Sequence, residues 1–156
     1  MARGARASGR GGRSFALLVP LLALLGCATA GDPLVDYRIE RDAIPQPLTA
    51  SAADPARGRE VVMGRDGNCL LCHALPETGA RFMGNLAPPL SGVGTRLSAG
   101  QLRLRLVDSL RLNRDTIMPS YYRVDGLNQV ARAFRGKPIL TAQQIEDTIA
   151  YLATLR

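Results

Sequence analysis

Hydrophobic positions recur at helical spacing in two stretches of the second half of the chain. The first stretch begins at a capping box formed by Ser98 and Gln101. Its apolar residues share one side while its arginines lie elsewhere around the helix. The second stretch begins at a capping box formed by Thr141 and Gln144. The two apolar stripes are Leu102, Leu106, Val107 and Leu110 in the first, and Ile145, Ile149, Leu152 and Leu155, with Thr148 on the same face, in the second. Both patterns predict amphipathic helices that bury one face.

A third helix is predicted upstream, because Asp54 followed by Pro55 is typical of a helix N-terminus. This helix contains Gly58, which has no side chain and so allows another helix to approach closely. We expect the last helix to cross there, with Ile149 and Leu152 near Gly58.

Proline and glycine interrupt the remaining stretches. Residues 74–93 are predicted to be irregular, and a loop with a short helix is expected at residues 127–134. No pair of stretches has the alternation that strand pairing requires. The predicted fold class is therefore all-α, with about four helices and long loops.

The first 30 residues show the three parts of a secretory signal peptide. Four arginines and no acidic residue precede an apolar run at residues 15–25, and small residues follow it. The run is short and is interrupted by Pro20, so no membrane span is predicted. We therefore predict export to the periplasm, with residues 1–30 as the signal peptide. Residues 31–53 form an extended segment, expected to be mobile or else docked on a partner, and residues 54–156 form the folded domain.

Two processing sites are compatible with this region. Ala28 and Ala30 fit the small-residue pattern of a signal cleavage site. Residues 24–27 also resemble a bacterial lipoprotein signal, in which Cys27 would carry a lipid anchor. Leu25 fits that pattern poorly, so cleavage after Ala30 is preferred and the anchor remains the alternative.

Export changes the meaning of the net charge. The full chain has 20 basic and 13 acidic residues, a net charge of +7. Removal of residues 1–30 takes away four arginines and leaves 16 basic against 13 acidic residues, a net charge of +3. The basic character therefore belongs mainly to the targeting segment, and no basic run with interleaved aromatic residues indicates nucleic-acid binding.

The stretch Cys69-Leu70-Leu71-Cys72-His73 carries the main chemical signal. Two cysteines three residues apart with a histidine directly after the second are typical of covalent c-type haem attachment. On one helical turn the three side chains share a face, so the thiols can bond the porphyrin while His73 meets the iron. A zinc site needs about four ligands, and the chain has one histidine and only one further cysteine. A redox dithiol would follow a buried strand, whereas residues 63–68 are loop-like.

A second axial ligand must come from elsewhere, since His73 is the only histidine. Met118 is preferred because the following Pro119 places it in extended backbone on a stiff loop. Met83, also in a loop, is the competitor, and an open or lysine-ligated iron is the remaining alternative. Met63 is expected to pack beside the haem turn. The carbonyl of Pro88 is expected to hold the second ring nitrogen of His73.

These motifs resemble a known family. Residues 54–156 resemble a monohaem class I cytochrome c in the haem turn, the Pro-Pro-Leu loop, the Met-Pro loop and the terminal helix with Tyr151-Leu152. Two later stretches, residues 111–122 and 133–141, resemble the SoxX family, the small cytochrome subunits of the SoxAX complex. The haem motif alone indicates only a cytochrome c, and the second half of the chain carries the more specific likeness.

The resemblance implies a role in sulfur oxidation. SoxAX oxidatively joins thiosulfate to a cysteine of the carrier SoxYZ, an L-cysteine S-thiosulfotransferase reaction. A SoxX chain with one haem c would accept electrons from SoxA and pass them to a soluble cytochrome c. No cysteine remains free for sulfur chemistry after haem attachment, so that chemistry is expected on SoxA. A stand-alone electron carrier, and a haem enzyme or sensor with an exchangeable Met118, are the alternatives.

Overall fold

In a computed structural model, residues 34–156 are described, together with Met1 and Gly4. The predicted signal peptide with Cys27 and the first residues of the 31–53 segment lie outside the described residues. Residues 34–156 belong to one compact unit. Among them, no helix has both the length and the apolar character that crossing a bilayer requires.

Four α-helices form the frame of residues 34–156. They are α1 (Pro55–Met63), α2 (Val93–Arg96), α3 (Ala99–Asp108) and α4 (Ala142–Thr154). Single 3-10 turns lie at Cys69–Leu71, Pro76–Thr78, Ser109–Arg111 and Arg132–Phe134. This part of the chain contains no β-strand, only isolated bridges between Glu40 and Ala43 and between His73 and Ala87. The all-α prediction is confirmed.

The predicted helix starts are confirmed by their caps. Asp54 caps α1 by accepting a hydrogen bond from the backbone N–H of Ala56. Ser98 with Gln101 and Thr141 with Gln144 form complete capping boxes at α3 and α4. These signals are local, because each cap satisfies N–H groups that the first helical turn itself leaves unpaired.

Helices α1 and α4 cross at Gly58, as predicted. A Cβ atom added to Gly58 would lie within 1.9 Å of the carbonyl oxygen of Asp147. The nearest backbone is that of Asp147 and Thr148, the two residues directly before the expected Ile149, and Leu152 is not among these nearest neighbours. Helix α2 reaches the other end of α4, where the backbone N–H of Gly94 donates to the carbonyl of Leu155 at 2.9 Å.

The short helix expected at residues 127–134 is reduced to the 3-10 turn Arg132–Phe134. Gly126 and Gln129 adopt left-handed backbone angles (φ +67° and +54°), which interrupt a helix there. The fourth α-helix is instead α2, a single turn that begins at the end of the stretch predicted to be irregular.

The segment before residue 54 packs more closely than expected. Ile44 and Leu48 are fully buried members of the hydrophobic core. The carbonyl of Ile44 accepts from the Arg103 guanidinium at 2.7 Å, and the N–H of Leu48 donates to Glu146 at 2.9 Å. The predicted boundary at residue 54 therefore marks where the backbone becomes helical. It does not mark where the chain begins to pack on the core.

Candidate haem site

The turn Cys69–Leu71 brings the two thiols and the imidazole together. The backbone N–H groups of Cys72 and His73 both donate to the carbonyl of Cys69, at 3.2 and 3.0 Å. Asn68 enters the turn with a left-handed φ of +47°, and its N–H donates to the carbonyl of Gly64 just past α1. The crossing of α1 with α4 thus fixes where the haem turn begins.

The Nδ1 side of the His73 ring is held by a backbone carbonyl, and Nε2 is on the other side. Its Nδ1 lies 2.6 Å from the carbonyl oxygen of Pro88. With Nδ1–H donating to that carbonyl, Nε2 is left unprotonated and available to a metal. The loop that carries Pro88 is itself anchored, because Ala87 N–H donates to Cys72 O at 3.0 Å and Leu90 N–H donates to Ala74 O at 2.9 Å.

A large cavity opens beside this turn. Its volume is about 1330 Å³, and Cys69, Cys72, His73 and Met118 all line it. Most of the other walls are apolar and come from residues between 86 and 152: Leu86, Val93, Leu97, Leu102, Leu106, Ile117, Tyr121, Val130 and Leu152. The basic lining groups are Arg65, Arg96, Arg105, Arg123 and Lys137, and the acidic ones are Asp66 and Asp115.

The three methionines in residues 34–156 have different surroundings. Met118 lines the cavity and is partly buried. The sulfur of Met83 accepts a hydrogen bond from the backbone N–H of Leu75 at 3.2 Å, and Met83 does not line the cavity. Met63 is 40% exposed and does not line the cavity.

Burial changes the acid–base properties on this side of the cavity. It raises the pKa of the Cys69 thiol to about 11. It also raises the pKa of Tyr121, with the neighbouring Cys69 as the second cause. The Tyr121 hydroxyl donates to the carbonyl of Gly67 at 2.6 Å. Tyr121 therefore links the chain just after Met118 to the chain just before Cys69.

The donor set and the cavity fit a covalently bound haem. Two thiols, an imidazole with a free Nε2 and a thioether face one apolar space, and these are the ligand types that c-type haems use. The excess of basic over acidic groups at the cavity suits the two negative propionates.

The comparison with protein families agrees with this chemistry. The cytochrome c family model matches residues 55–156. The chain belongs to the cytochrome c family. A chain in the crystal structure of SoxXA from P. pantotrophus is similar to this cytochrome, with 35% sequence identity and a TM-score of 0.70. The match covers 76% of this cytochrome and 93% of that chain. A comparison with curated protein sequences finds no match.

Several predictions from the sequence are thereby confirmed. They are the class I cytochrome c fold, one covalently bound haem c, an electron-transfer role and the likeness to the SoxX family. The zinc and dithiol interpretations of the cysteines are wrong for a cytochrome c. Sequence reasoning missed the side chains that hold the Met118 loop, namely Asp108, Ser109, Ser120 and Tyr121. The one sequence signal for a role of these residues in the site is that they lie within about ten positions of Met118.

Proposed function

We propose that Cys69 and Cys72 attach the haem and that His73 and Met118 are its two axial iron ligands. The carrying observation is the convergence of these four side chains on one apolar cavity, with Nδ1 of His73 held 2.6 Å from Pro88 O. Met118 is preferred over Met83 because the Met83 sulfur already accepts a hydrogen bond outside the cavity.

Each residue has a defined task in this site. The carbonyl of Pro88 accepts a hydrogen bond from Nδ1–H of His73, which would keep Nε2 directed at the metal and make the imidazole a stronger donor. Met118 contributes a neutral thioether, and the apolar walls exclude water. The bound haem supplies one-electron oxidation and reduction, and methionine as a ligand raises its potential. If His73 and Met118 both held the iron, no position on the metal would remain for a substrate, and the site would serve electron transfer alone.

We further propose that the chain is the cytochrome subunit of a SoxXA-type complex with a SoxA partner. In that complex SoxA would carry the L-cysteine S-thiosulfotransferase chemistry that joins thiosulfate to SoxYZ. In residues 34–156 the only cysteines are Cys69 and Cys72, and haem attachment consumes both. This chain would therefore receive electrons from SoxA and pass them to a soluble cytochrome c in the periplasm, after removal of residues 1–30.

The axial ligand is tested by Met118→Ala in the holoprotein. We expect the oxidised variant to lose the far-red charge-transfer band between sulfur and iron, because the cavity contains no second methionine. Met83→Ala is the matched control and should keep the band. Loss of the band in Met83→Ala with its retention in Met118→Ala would assign the ligand to Met83 instead.

The partnership is tested with the tagged chain expressed in thiosulfate-grown cells. We expect a larger haem subunit to co-purify, and we expect thiosulfate conjugation to require that subunit. A monomer that a donor reduces without any partner would support the stand-alone carrier, and conjugation by the purified chain alone would contradict the division of labour.

A further inference from the structure

The end of α3 and the Met118 loop meet through three buried side chains. The hydroxyl of Ser109 donates to the carbonyl of Met118 at 2.7 Å. The hydroxyl of Ser120 donates to Oδ1 of Asp108 at 3.1 Å. The two hydroxyl oxygens lie 3.4 Å apart, and Asp108, Ser109 and Ser120 are all buried. These contacts hold the loop on both sides of Pro119.

The end of α3 also bonds the Met118 loop through backbone hydrogen bonds. The helix ends at Asp108, whose angles (φ −150°, ψ 80°) are not helical. This break leaves the carbonyls of Leu106 and Val107 without their next helical partners. They accept instead from the backbone N–H groups of Tyr121 and Tyr122, at 2.9 and 3.4 Å. The loop after Met118 is thus aligned with the last turn of α3.

Asp108 has no other close hydrogen-bond donor in the described chain. Arg123 and Arg111 approach it at 3.6 and 3.8 Å, which is ion-pair distance rather than hydrogen-bond distance. The electron-transfer site does not use its carboxylate. A buried charge is costly unless it is compensated, so Ser120 and the two arginines favour one arrangement of the loop over others.

We propose that Asp108 is a positioning residue for the sulfur of Met118. It acts through Ser120, while Ser109 fixes the carbonyl of Met118 itself. Pro119 has no N–H group and cannot donate a backbone hydrogen bond to anchor the loop, and the two serines supply anchors on either side of it. This inference rests on the proposed ligation by Met118.

The test compares holoprotein variants by two spectroscopic measurements. The far-red band of the oxidised protein reports the sulfur–iron bond, and the rate of cyanide binding reports how often Met118 leaves the iron. The variants are Asp108→Asn, Ser120→Ala, their combination, Ser109→Ala and the conservative Ser109→Thr. Asp125→Asn is the matched control, because Asp125 is an exposed carboxylate whose side chain pairs with none of the described residues.

We expect cyanide to bind about tenfold faster in Asp108→Asn, Ser120→Ala and Ser109→Ala, with a weaker far-red band. A tenfold change corresponds to about 1.4 kcal/mol, close to the contribution of a hydrogen bond to a charged group. The combined Asp108→Asn/Ser120→Ala variant should be no faster than either single variant, since both remove one interaction. Ser109→Thr should restore the slow rate, and Asp125→Asn should leave it unchanged.

Three results would overturn the inference. The first is a far-red band and a cyanide-binding rate that do not change in the Asp108, Ser120 and Ser109 variants. The second is an additive effect in the combined variant. The third is a variant whose thermal stability falls while its band and its rate stay those of the wild type. If Asp108→Asn does not fold, the Ser109→Ala and Ser109→Thr pair and Ser120→Ala give the same decision. A wild-type protein without the far-red band would instead refute the ligation by Met118, so the two failures are distinguishable.

Discussion

Gly58 lies where α1 and α4 touch through their backbones, so Gly58→Ala is a direct test of the helix crossing. The added Cβ would lie 1.9 Å from Asp147 O and 2.5 Å from the Asp147 carbonyl carbon. Real Cβ atoms essentially never come within 3.0 Å of heavy atoms of residues to which they are not bonded, so the helices would have to separate by about 1 Å. The atoms in the way are backbone atoms inside a helix, and these cannot move aside as a flexible side chain can.

The expected cost follows from two opposing effects. Overpacking a close contact costs about 1–3 kcal/mol, and a clash with backbone belongs at the upper end, about 3 kcal/mol. Alanine is favoured over glycine in a helix interior by about 1 kcal/mol. The net loss in the free energy of unfolding is therefore about 2 kcal/mol, or about 8 °C in Tm for a domain of this size.

Thermal unfolding of the holoprotein, followed by far-ultraviolet circular dichroism, measures this loss. Gly136→Ala is the control, because a Cβ there meets nothing within 4 Å and the only cost is its φ of +68°, about 1 kcal/mol. The absorption spectrum should shift slightly in Gly58→Ala alone, since α1 leads into the haem turn. A Tm for Gly58→Ala equal to or above that of the wild type would refute the close crossing of the two helices.

Two other buried carboxylates lead to further predictions. Burial opposes ionisation of Asp147, but hydrogen bonds from Arg57, a backbone N–H and Gln143 outweigh it and lower the pKa of Asp147. A lowered pKa in the folded state stabilises the protein above the unfolded-state pKa of about 4, and this contribution is lost as the pH falls through the folded-state value. In urea unfolding, the stability that Asp147→Asn loses should therefore be full at about pH 7 and should shrink steadily as the pH is lowered below about 4, whereas a loss that does not change with pH would contradict this. Glu146→Gln should lower the free energy of unfolding by about 3–5 kcal/mol, because it leaves the buried Arg103 without its ionic partner. Combining it with Arg103→Met should recover much of that loss. No recovery in the double variant would disprove the pairing.

The parts of the fold that were predictable from the sequence are those with local causes. Capping boxes at Ser98 and Thr141, the Asp54–Pro55 start and the apolar stripe of α4 act within a few residues, and a sequence shows them directly. Gly58 was informative for a similar reason, since a bare position inside an otherwise ordinary helix indicates a close neighbour.

The parts that were not predictable depend on partners distant in sequence. Nothing local around Ile44 and Leu48 shows that both are buried, because their partners Arg103 and Glu146 lie about 60 and 100 residues away. Arg103 lies off the predicted apolar stripe of α3, and arginine is rarely buried without a partner. Its partner Glu146 is on another helix, so its burial could not be read from α3 alone.

The candidate site divides in the same way. Cys69, Cys72 and His73 form one contiguous motif, and haem chemistry fixes their spacing. The choice of Met118 and Pro88 depended on where loops lie, which the sequence does not show. The structure adds two observations: the Met83 sulfur accepts a hydrogen bond from Leu75 N–H, and Nδ1 of His73 lies 2.6 Å from Pro88 O.

The three buried carboxylates share a physical role that explains why they stand around an apolar cavity. Each attaches irregular chain to a helix: Asp147 holds the start of α1, Glu146 holds Leu48 directly and Ile44 through Arg103, and Asp108 holds the Met118 loop. Apolar contacts are non-directional, so a cavity with mostly apolar walls cannot by itself determine where a loop without regular hydrogen bonds will lie. Burying a charge costs stability, but a carboxylate accepts hydrogen bonds only in defined geometry. The carboxylates therefore fix loop positions that the apolar walls leave undetermined. At Asp108, the fixed position of the loop determines where the sulfur of Met118 faces the cavity.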